Sequence, residues 1–170
     1  MVLHGSPHKD SYTERLTAAY LAQYENAASV QHVNLFQTHI KPCTDCKYCH
    51  VHNGCPLHDS FENIAGKLDE ADVIILSVPV YYLGFPAPVK AFIDRTQQFF
   101  VRRILFKREK MAHTKQGVLI CTCGSDLSAI EALKAPSEMF FLSSVPSFPK
   151  QFISPEPTCP RKSADAIEWN

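Results

Sequence analysis

Val73-Ile74-Ile75-Leu76-Ser77-Val78 is the stretch that most limits the fold. A strand with one wet face alternates apolar and polar residues. This one does not, so it calls for cover on both faces, as in a parallel sheet held between two layers of helix. Helical spacing flanks it. Ser60 to Leu68 places Phe61, Ile64, Ala65 and Leu68 on one side, and Val89, Phe92, Ile93 and Thr96 recur at helical intervals afterwards, with Lys90, Asp94 and Arg95 elsewhere.

The same alternation runs through the chain. Met1 to His4 is a very short apolar strand, which fits either a natural start a few residues upstream or a strand that is simply short. Thr13 to Ala28 reads as a helix with Leu16, Tyr20, Tyr24 and Ala27 along one face, and Val30, Val33 and Leu35 as a second strand. Gly117 to Thr122 is the fourth strand, followed by a helix from Leu127 to about Lys134 that Pro136 should break. Phe148 to Ile153 is read as a fifth strand, Pro155 to Pro160 as a turn, and Ser163 as the cap of a final short helix. The pattern is that of an α/β protein with a doubly wound, five-stranded parallel sheet in the order 2-1-3-4-5 and helices on both faces. Residues 1–170 fit one domain with one core.

Charge narrows the function. Lys plus Arg number 17 and Asp plus Glu number 17, so nothing steers the chain toward nucleic acid or an acidic membrane. No apolar run approaches the roughly 18 residues needed to span a bilayer. The N-terminus lacks a basic region followed by an apolar stretch, so cytoplasm is the default expectation. Residues 99–116 are basic and apolar together, which reads as a connection lying over a site or as part of a dimer surface.

Three loops at the carboxyl ends of strands carry the chemistry. Gly5 permits a turn out of the first strand, and Ser6, Ser11 and Thr13 offer hydroxyls. Ser11 with Glu14 forms a capping box, and a helix N-terminus of this kind is a phosphate site, although neither a P-loop nor GxGxxG is present. Pro79 to Arg95 passes two tyrosines and Gly84 before entering a helix through Pro86 and Pro88, a place to lay a flat ring. Tyr81 and Tyr82 serve either as a stacking wall or, for one of them, as core. Asp94 and Arg95 read as a surface ion pair of little worth. Cys123-Gly124-Ser125-Asp126 is a second tight loop, with Cys121 read as a small buried hydrophobe and Cys123 as a candidate ligand contact. His32, His39 and His113 are read as solvated.

Residues 41–59 hold Cys43, Cys46, Cys49 and Cys55. The first three are spaced by two residues, so their thiolates can converge, and Gly54 eases the reversal before the fourth. That suits the corners of a [4Fe–4S] cube. Zinc is the rival, taking four thiolates or three with His50, His52 or His58. Free thiols in a packed loop are the plain alternative.

These stretches resemble the NADPH-dependent FMN reductase family of flavodoxin-like proteins, in its iron–sulfur flavoprotein branch. GSPHKDSYT resembles the family's phosphate loop, PCTDCKYCHVHNGCPLHD its compact cysteine motif, and SVPVYYLGFPAPVKAFIDR its isoalloxazine segment. The resemblance covers Leu3 to about Leu133. It implies that Ser6, His8, Ser11 and Thr13 hold the FMN phosphate, with Tyr12 standing where the family has Asn and His8 where it has Arg. It implies that Pro79, Val80, Tyr81, Tyr82, Leu83 and Gly84 border the ring and that Thr122, Cys123, Gly124 and Ser125 close the third side. Members with the same cysteine spacing include cluster-binding proteins and plain flavoproteins, so the resemblance leaves the cluster open.

The expected function is an FMN-dependent NAD(P)H oxidoreductase that passes electrons to a flavin, quinone or similar acceptor. Its rivals are an iron–sulfur flavoprotein carrying electrons between protein partners, and a zinc- or flavin-binding module without turnover. The resemblance also implies a homodimer or larger homo-oligomer, with apolar residues of Phe99 to Phe106 under cover.

Overall fold

The computed structural model describes residues 1–24, 29–107, 115–124 and 128–144, and the backbone of 164–169. In chain order the elements are β1 (Val2–His4), α1 (Tyr12–Leu21) with a 3-10 turn at Ala22–Tyr24, β2 (His32–Asn34), and a 3-10 turn at Leu35–Gln37. Then follow α2 (Tyr48–Val51), α3 (Ser60–Glu70), β3 (Val73–Pro79), α4 (Ala87–Arg95), α5 (Gln97–Phe99) and a π-helical turn at Phe100–Leu105. The chain continues through β4 (Gln116–Thr122), α6 (Ser128–Ser144) and β5 (Ala164–Trp169).

The sheet runs β2-β1-β3-β4-β5. The first four strands pair in parallel, with Leu3 opposite both Val33 and Leu76, and Leu76 opposite Leu119. β5 is antiparallel to β4, Ala164 facing Thr122 and Trp169 facing Gly117. Two expectations are corrected here: the sheet is not wholly parallel, and the residues after Ser163 form a strand rather than a helix. The far edge of β4 would otherwise present a row of unpaired backbone groups, and Ala164–Trp169 satisfies them. The stretch read as a fifth strand, Phe148 to Ile153, lies outside the described residues, as does the proline-rich turn.

Both faces of the sheet are covered. Ile74, Leu76 and Val78 pack with Phe61, Leu68, Val89, Phe92, Leu133 and Phe140 of α3, α4 and α6. Ile75, Val2, Val118 and Ile120 face α1 through Tyr20. Ser77, the polar residue in β3, is buried on the α1 side with its hydroxyl 2.7 Å from that of Thr17. The inward face of α1 is Thr13, Thr17 and Tyr20, while Tyr24 is exposed. α3 buries Phe61, Ile64, Ala65 and Leu68, as its spacing requires.

Two positions, Pro136 and Arg95, depart from the sequence reading. Pro136 does not end α6; the helix continues because Ser137, Phe140 and Phe141 beyond it are buried, with Phe140 against Phe92 and Phe141 against Gly117. Arg95 is buried rather than paired at the surface with Asp94, which instead binds Lys90 at 2.6 Å. Among the described residues of 99–116, Lys115 is buried, Arg102 and Arg103 are half-buried and Lys107 is exposed. The Lys115 ammonium donates to the carbonyls of Leu68 and Asp69 in the last turn of α3, where the helix dipole favours a cation, and Arg103 binds Asp69 and the Ser143 carbonyl. Phe99 and Val101 are buried, and among the described residues of that segment Ile104, Leu105 and Phe106 are the exposed apolar ones. Among the described residues no helix is long and apolar enough to cross a membrane.

Candidate functional site

The carboxyl ends of β1, β3 and β4 meet at one edge of the sheet. The Gly5 N–H donates to the Ser77 carbonyl at 2.7 Å, and the Val80 N–H to the Thr122 carbonyl at 2.8 Å. Gly5 is needed for close approach rather than for an unusual turn. A Cβ there would stand 2.5 Å from Val89 Cγ2 and 2.7 Å from Val78 Cγ1.

The loop after β1 is folded on its own side chains. Ser6 is buried, and its hydroxyl accepts the His8 N–H at 3.2 Å. Its carbonyl accepts from Asn34 Nδ2 at the end of β2. Ser11 caps α1 by accepting the Glu14 N–H. Thr13 is buried, and its hydroxyl meets that of Thr122 at 2.7 Å, tying α1 to the end of β4. His8 and Tyr12 are exposed, the Tyr12 ring lying beneath the Arg15 guanidinium. The first-turn N–H groups of an α-helix lack intrahelical acceptors, so this end of α1 suits an anion.

After β3 the chain makes a tight hairpin. Tyr81 and Gly84 exchange backbone hydrogen bonds of 3.0 and 2.9 Å around Tyr82 and Leu83. Both central residues have positive φ, 49° and 57°. Such a turn normally uses Asn-Gly, and each bulky side chain held there costs about 1–3 kcal/mol. The turn projects Tyr82 fully and Leu83 for the most part into solvent, with Tyr81 half exposed. Pro79 and Val80 lie half-buried behind it, and Gly84 is free of steric need, since a Cβ would find only ordinary contacts. On the third side Thr122 and Gly124 reach the edge, whereas Cys123 is packed in the core with Cys121. Ser125 lies outside the described residues.

The cysteine loop bounds a second small hollow, lined by Cys43, Cys46, Cys49 and Cys55 together with His50, Arg95 and Gln98. Burial raises the Cys49 thiol pKa; its own backbone N–H lowers it, and the charges of Cys43, Cys46 and Cys55 raise it further. The Asp45 N–H donates to Cys43 Sγ at 3.5 Å. Asp45 and Lys47, on either side of Cys46, have positive φ of 51° and 61°. Backbone alternating in hand gathers N–H groups into a concavity for anions, a device that recurs at phosphate and iron–sulfur sites. Among the described residues no three His, Cys, Asp or Glu side chains are placed to share one metal ion. A tetrahedral zinc would draw its sulfurs within about 3.8 Å of one another, given Zn–S bonds of roughly 2.3 Å. His52 and His58 do not line the hollow; His52 stacks on Tyr48 and His58 meets Glu62.

The profile of the NADPH-dependent FMN reductase family matches residues 1–158. The chain belongs to this family. An iron-sulfur flavoprotein of Archaeoglobus fulgidus is 35% identical over 92 residues, which are 54% of this chain and 42% of that one. One from Methanosarcina thermophila is 30% identical over 125 residues, 72% of this chain and 62% of that one. The chain thus spans about half the length of the curated relatives it matches, with 42%, 50% and 62% covered in three of them. Among solved structures it is similar to the Trp repressor binding protein of Bacillus subtilis, with TM-score 0.56, 15% identity and coverage of 85% and 76%. It is also similar to azoreductase AzrA, with TM-score 0.54, 17% identity and coverage of 82% and 80%. At those identities the likeness establishes the fold.

Several structural features had no sequence signal. The left-handed Tyr82-Leu83 turn lacks Asn and Gly, and the Thr13–Thr122 contact joins distant residues. His4 is buried between Glu14, whose Oε1 is 2.8 Å from Nδ1, and His32, whose Nδ1 is 2.8 Å from Nε2; His32 is therefore exposed but partnered. A His ending an apolar strand seven residues before the capping Ser11 was the available hint. A hollow of about 250 Å³ at the opposite, amino end of the strands, lined by Val2, Tyr20, Tyr24 and Val73, is remote from all three loops.

Proposed function

We propose that the chain binds FMN at the shared edge of β1, β3 and β4 and works as an NAD(P)H-dependent oxidoreductase toward a flavin, quinone or similar small-molecule or protein acceptor. The observation that carries this reading is the convergence of the α1 N-terminus, the Tyr81–Gly84 hairpin and the Thr122–Gly124 end at one sheet edge in a chain of this family. FMN bound there would supply a flat two-electron acceptor for a nicotinamide hydride.

The chain's own groups have defined tasks in this reading. Ser6, His8, Ser11, Tyr12 and Thr13 hold the phosphate, helped by the positive end of α1. Pro79, Val80, Tyr81, Tyr82, Leu83 and Gly84 border the ring, and Thr122, Cys123, Gly124 and Ser125 close the third side. The core position of Cys123 supports a role through its backbone rather than its thiol.

The cysteine hollow favours a second component. Its thiols, its alternating backbone and the Asp45 N–H on sulfur suit a [4Fe–4S] cluster held by Cys43, Cys46, Cys49 and Cys55 better than a single zinc ion. Such a cluster would supply one-electron exchange, and the chain would then pass electrons to a protein partner. Exposed Ile104, Leu105 and Phe106 support a homodimer or larger homo-oligomer. A cytoplasmic setting suits free thiols.

The test is the absorption spectrum of anaerobically purified protein with iron, sulfide and zinc analysis, followed by NADPH without air. Flavin bands that bleach, on a brown shoulder with iron and acid-labile sulfide, support both components. Zinc without flavin overturns them, and a flavin that stays oxidised overturns the nicotinamide step.

A further inference from the structure

Arg95 ends α4, the helix that starts beside the Tyr81–Gly84 hairpin. Its nine residues make a rod of about 13 Å. The side chain is fully buried and lies over the Phe61 ring at 4.4 Å. Its terminal nitrogens close the neck of the cysteine loop. One binds Asp59 Oδ2 at 2.5 Å and the Lys41 carbonyl at 3.4 Å, and the other binds the Leu57 carbonyl at 2.7 Å. Asp59 in turn accepts the Lys41 N–H and, as the cap of α3, the Phe61 N–H. Both ends of residues 41–59 are therefore fixed by one guanidinium. A guanidinium carries five N–H donors. The terminal nitrogens carry four of these and make the three bonds just named; the Nε–H is buried and has no hydrogen-bond partner among the described residues, and Arg95 lines the hollow that the four cysteines bound.

We propose that Arg95 tunes the group held by the four thiolates, its Nε–H serving as a donor to sulfur while its terminal nitrogens hold the loop's neck. The inference rests on the cluster reading above. An unpaired buried N–H is expensive, so the buried Nε–H calls for an acceptor. The hollow offers sulfur, and the potential of an iron–sulfur centre depends on hydrogen bonds to its sulfurs and on nearby charge. Asp59 sets how much of the guanidinium's charge the hollow feels. The two residues thus push the potential in opposite directions, although both hold the same loop.

That opposition is the test. Wild type, Arg95→Lys and Asp59→Asn are purified without air, assayed for iron and sulfide per chain, and titrated with redox dyes. Lys keeps the charge but lacks the planar fork, so its centre should reduce less readily. The expected change is about tenfold in the oxidised-to-reduced ratio at fixed potential, or 59 mV for one electron. Asn keeps the helix cap but leaves the guanidinium uncompensated, so its centre should reduce more readily. Shifts of opposite sign at full iron content support the proposal. A role limited to holding the loop would lower iron content in both variants and leave the potential of what remains unchanged, which overturns it. Should Arg95→Lys fail to fold, Asp59→Asn alone decides: an upward shift supports the proposal and no shift overturns it. Wild type lacking iron and sulfide overturns the cluster reading and this inference with it, whereas an iron-loaded wild type with unmoved variants overturns only the inference.

Discussion

Thr13 Oγ1 and Thr122 Oγ1 stand 2.7 Å apart although 109 residues separate them. Thr13 belongs to the first turn of α1 and Thr122 ends β4. The contact joins the proposed phosphate side of the site to its third wall and fixes the distance between them.

Replacing either threonine by Val keeps the shape and removes the hydroxyl. FMN affinity should fall by about 1 kcal/mol, roughly fivefold, the usual net value of one hydrogen bond. The double substitution should cost little more than the worse single one, because the two hydroxyls act as one unit. Flavin fluorescence titration measures this, with circular dichroism to check folding. Fully additive losses would mean that each hydroxyl serves the flavin separately.

Gly5→Ala tests how tightly the strand ends are packed. The added Cβ meets Val89 and Val78 at 2.5 and 2.7 Å, both side chains being fully buried. Overpacking of this kind costs about 1–3 kcal/mol. Tm should drop by about 2–4 °C for each kcal/mol in a chain of this size. Gly124→Ala, where nothing lies within 4 Å, should leave Tm unchanged. Equal melting of both variants and wild type would show that Val78 and Val89 have room to move.

The strained hairpin after β3 separates stability from binding. Asn and Gly in place of Tyr82 and Leu83 suit positive φ and should relieve about 1–3 kcal/mol at each position, raising Tm. The same change removes two exposed apolar side chains from the proposed ring site, so FMN should dissociate more readily. Higher Tm with undiminished FMN retention would place the ring elsewhere.

What could be read from sequence follows physical locality. The inward face of α3 and the unbroken apolar run of β3 are local patterns, and both formed as expected. The convergence of three loops followed from the doubly wound order, since parallel strands bring their carboxyl ends to one edge. Arg95 was misplaced because a charge at an outward helical position reads as solvated, and only the fold brings Asp59 beneath it. Lys115 is buried for a reason of the same kind, its acceptors being the distant carbonyls of α3. α6 passes Pro136 because Phe140 and Phe141 pack on Phe92 and Gly117, contacts no local window contains. β5 is an edge strand whose reason for forming lies in β4. At the site, the hydroxyl-rich loop and the aromatic turn were visible as compositions, whereas the left-handed geometry of Asp45, Lys47, Tyr82 and Leu83 was not, because none is the Gly or Asn that usually marks it.

His4 makes stability depend on pH. Burial holds its pKa below the ordinary imidazole value; the Glu14 carboxylate pulls it up and His32 pushes it down. The facing nitrogens of His4 and His32, 2.8 Å apart, can share one proton but cannot both carry one without separating. The unfolded chain therefore binds the proton first, near pH 6.5. Stability from this group is present above about pH 6.5 and is lost as pH falls from there through the lower folded value. Thermal melts from about pH 7.5 down to about pH 5.5 should show Tm declining in wild type. His4→Gln keeps a polar side chain beside Glu14 without a titrating ring, so its Tm should decline less over the same range. Parallel curves for the two proteins would show that His4 titrates alike in the folded and unfolded chain, and that the dependence arises at another histidine.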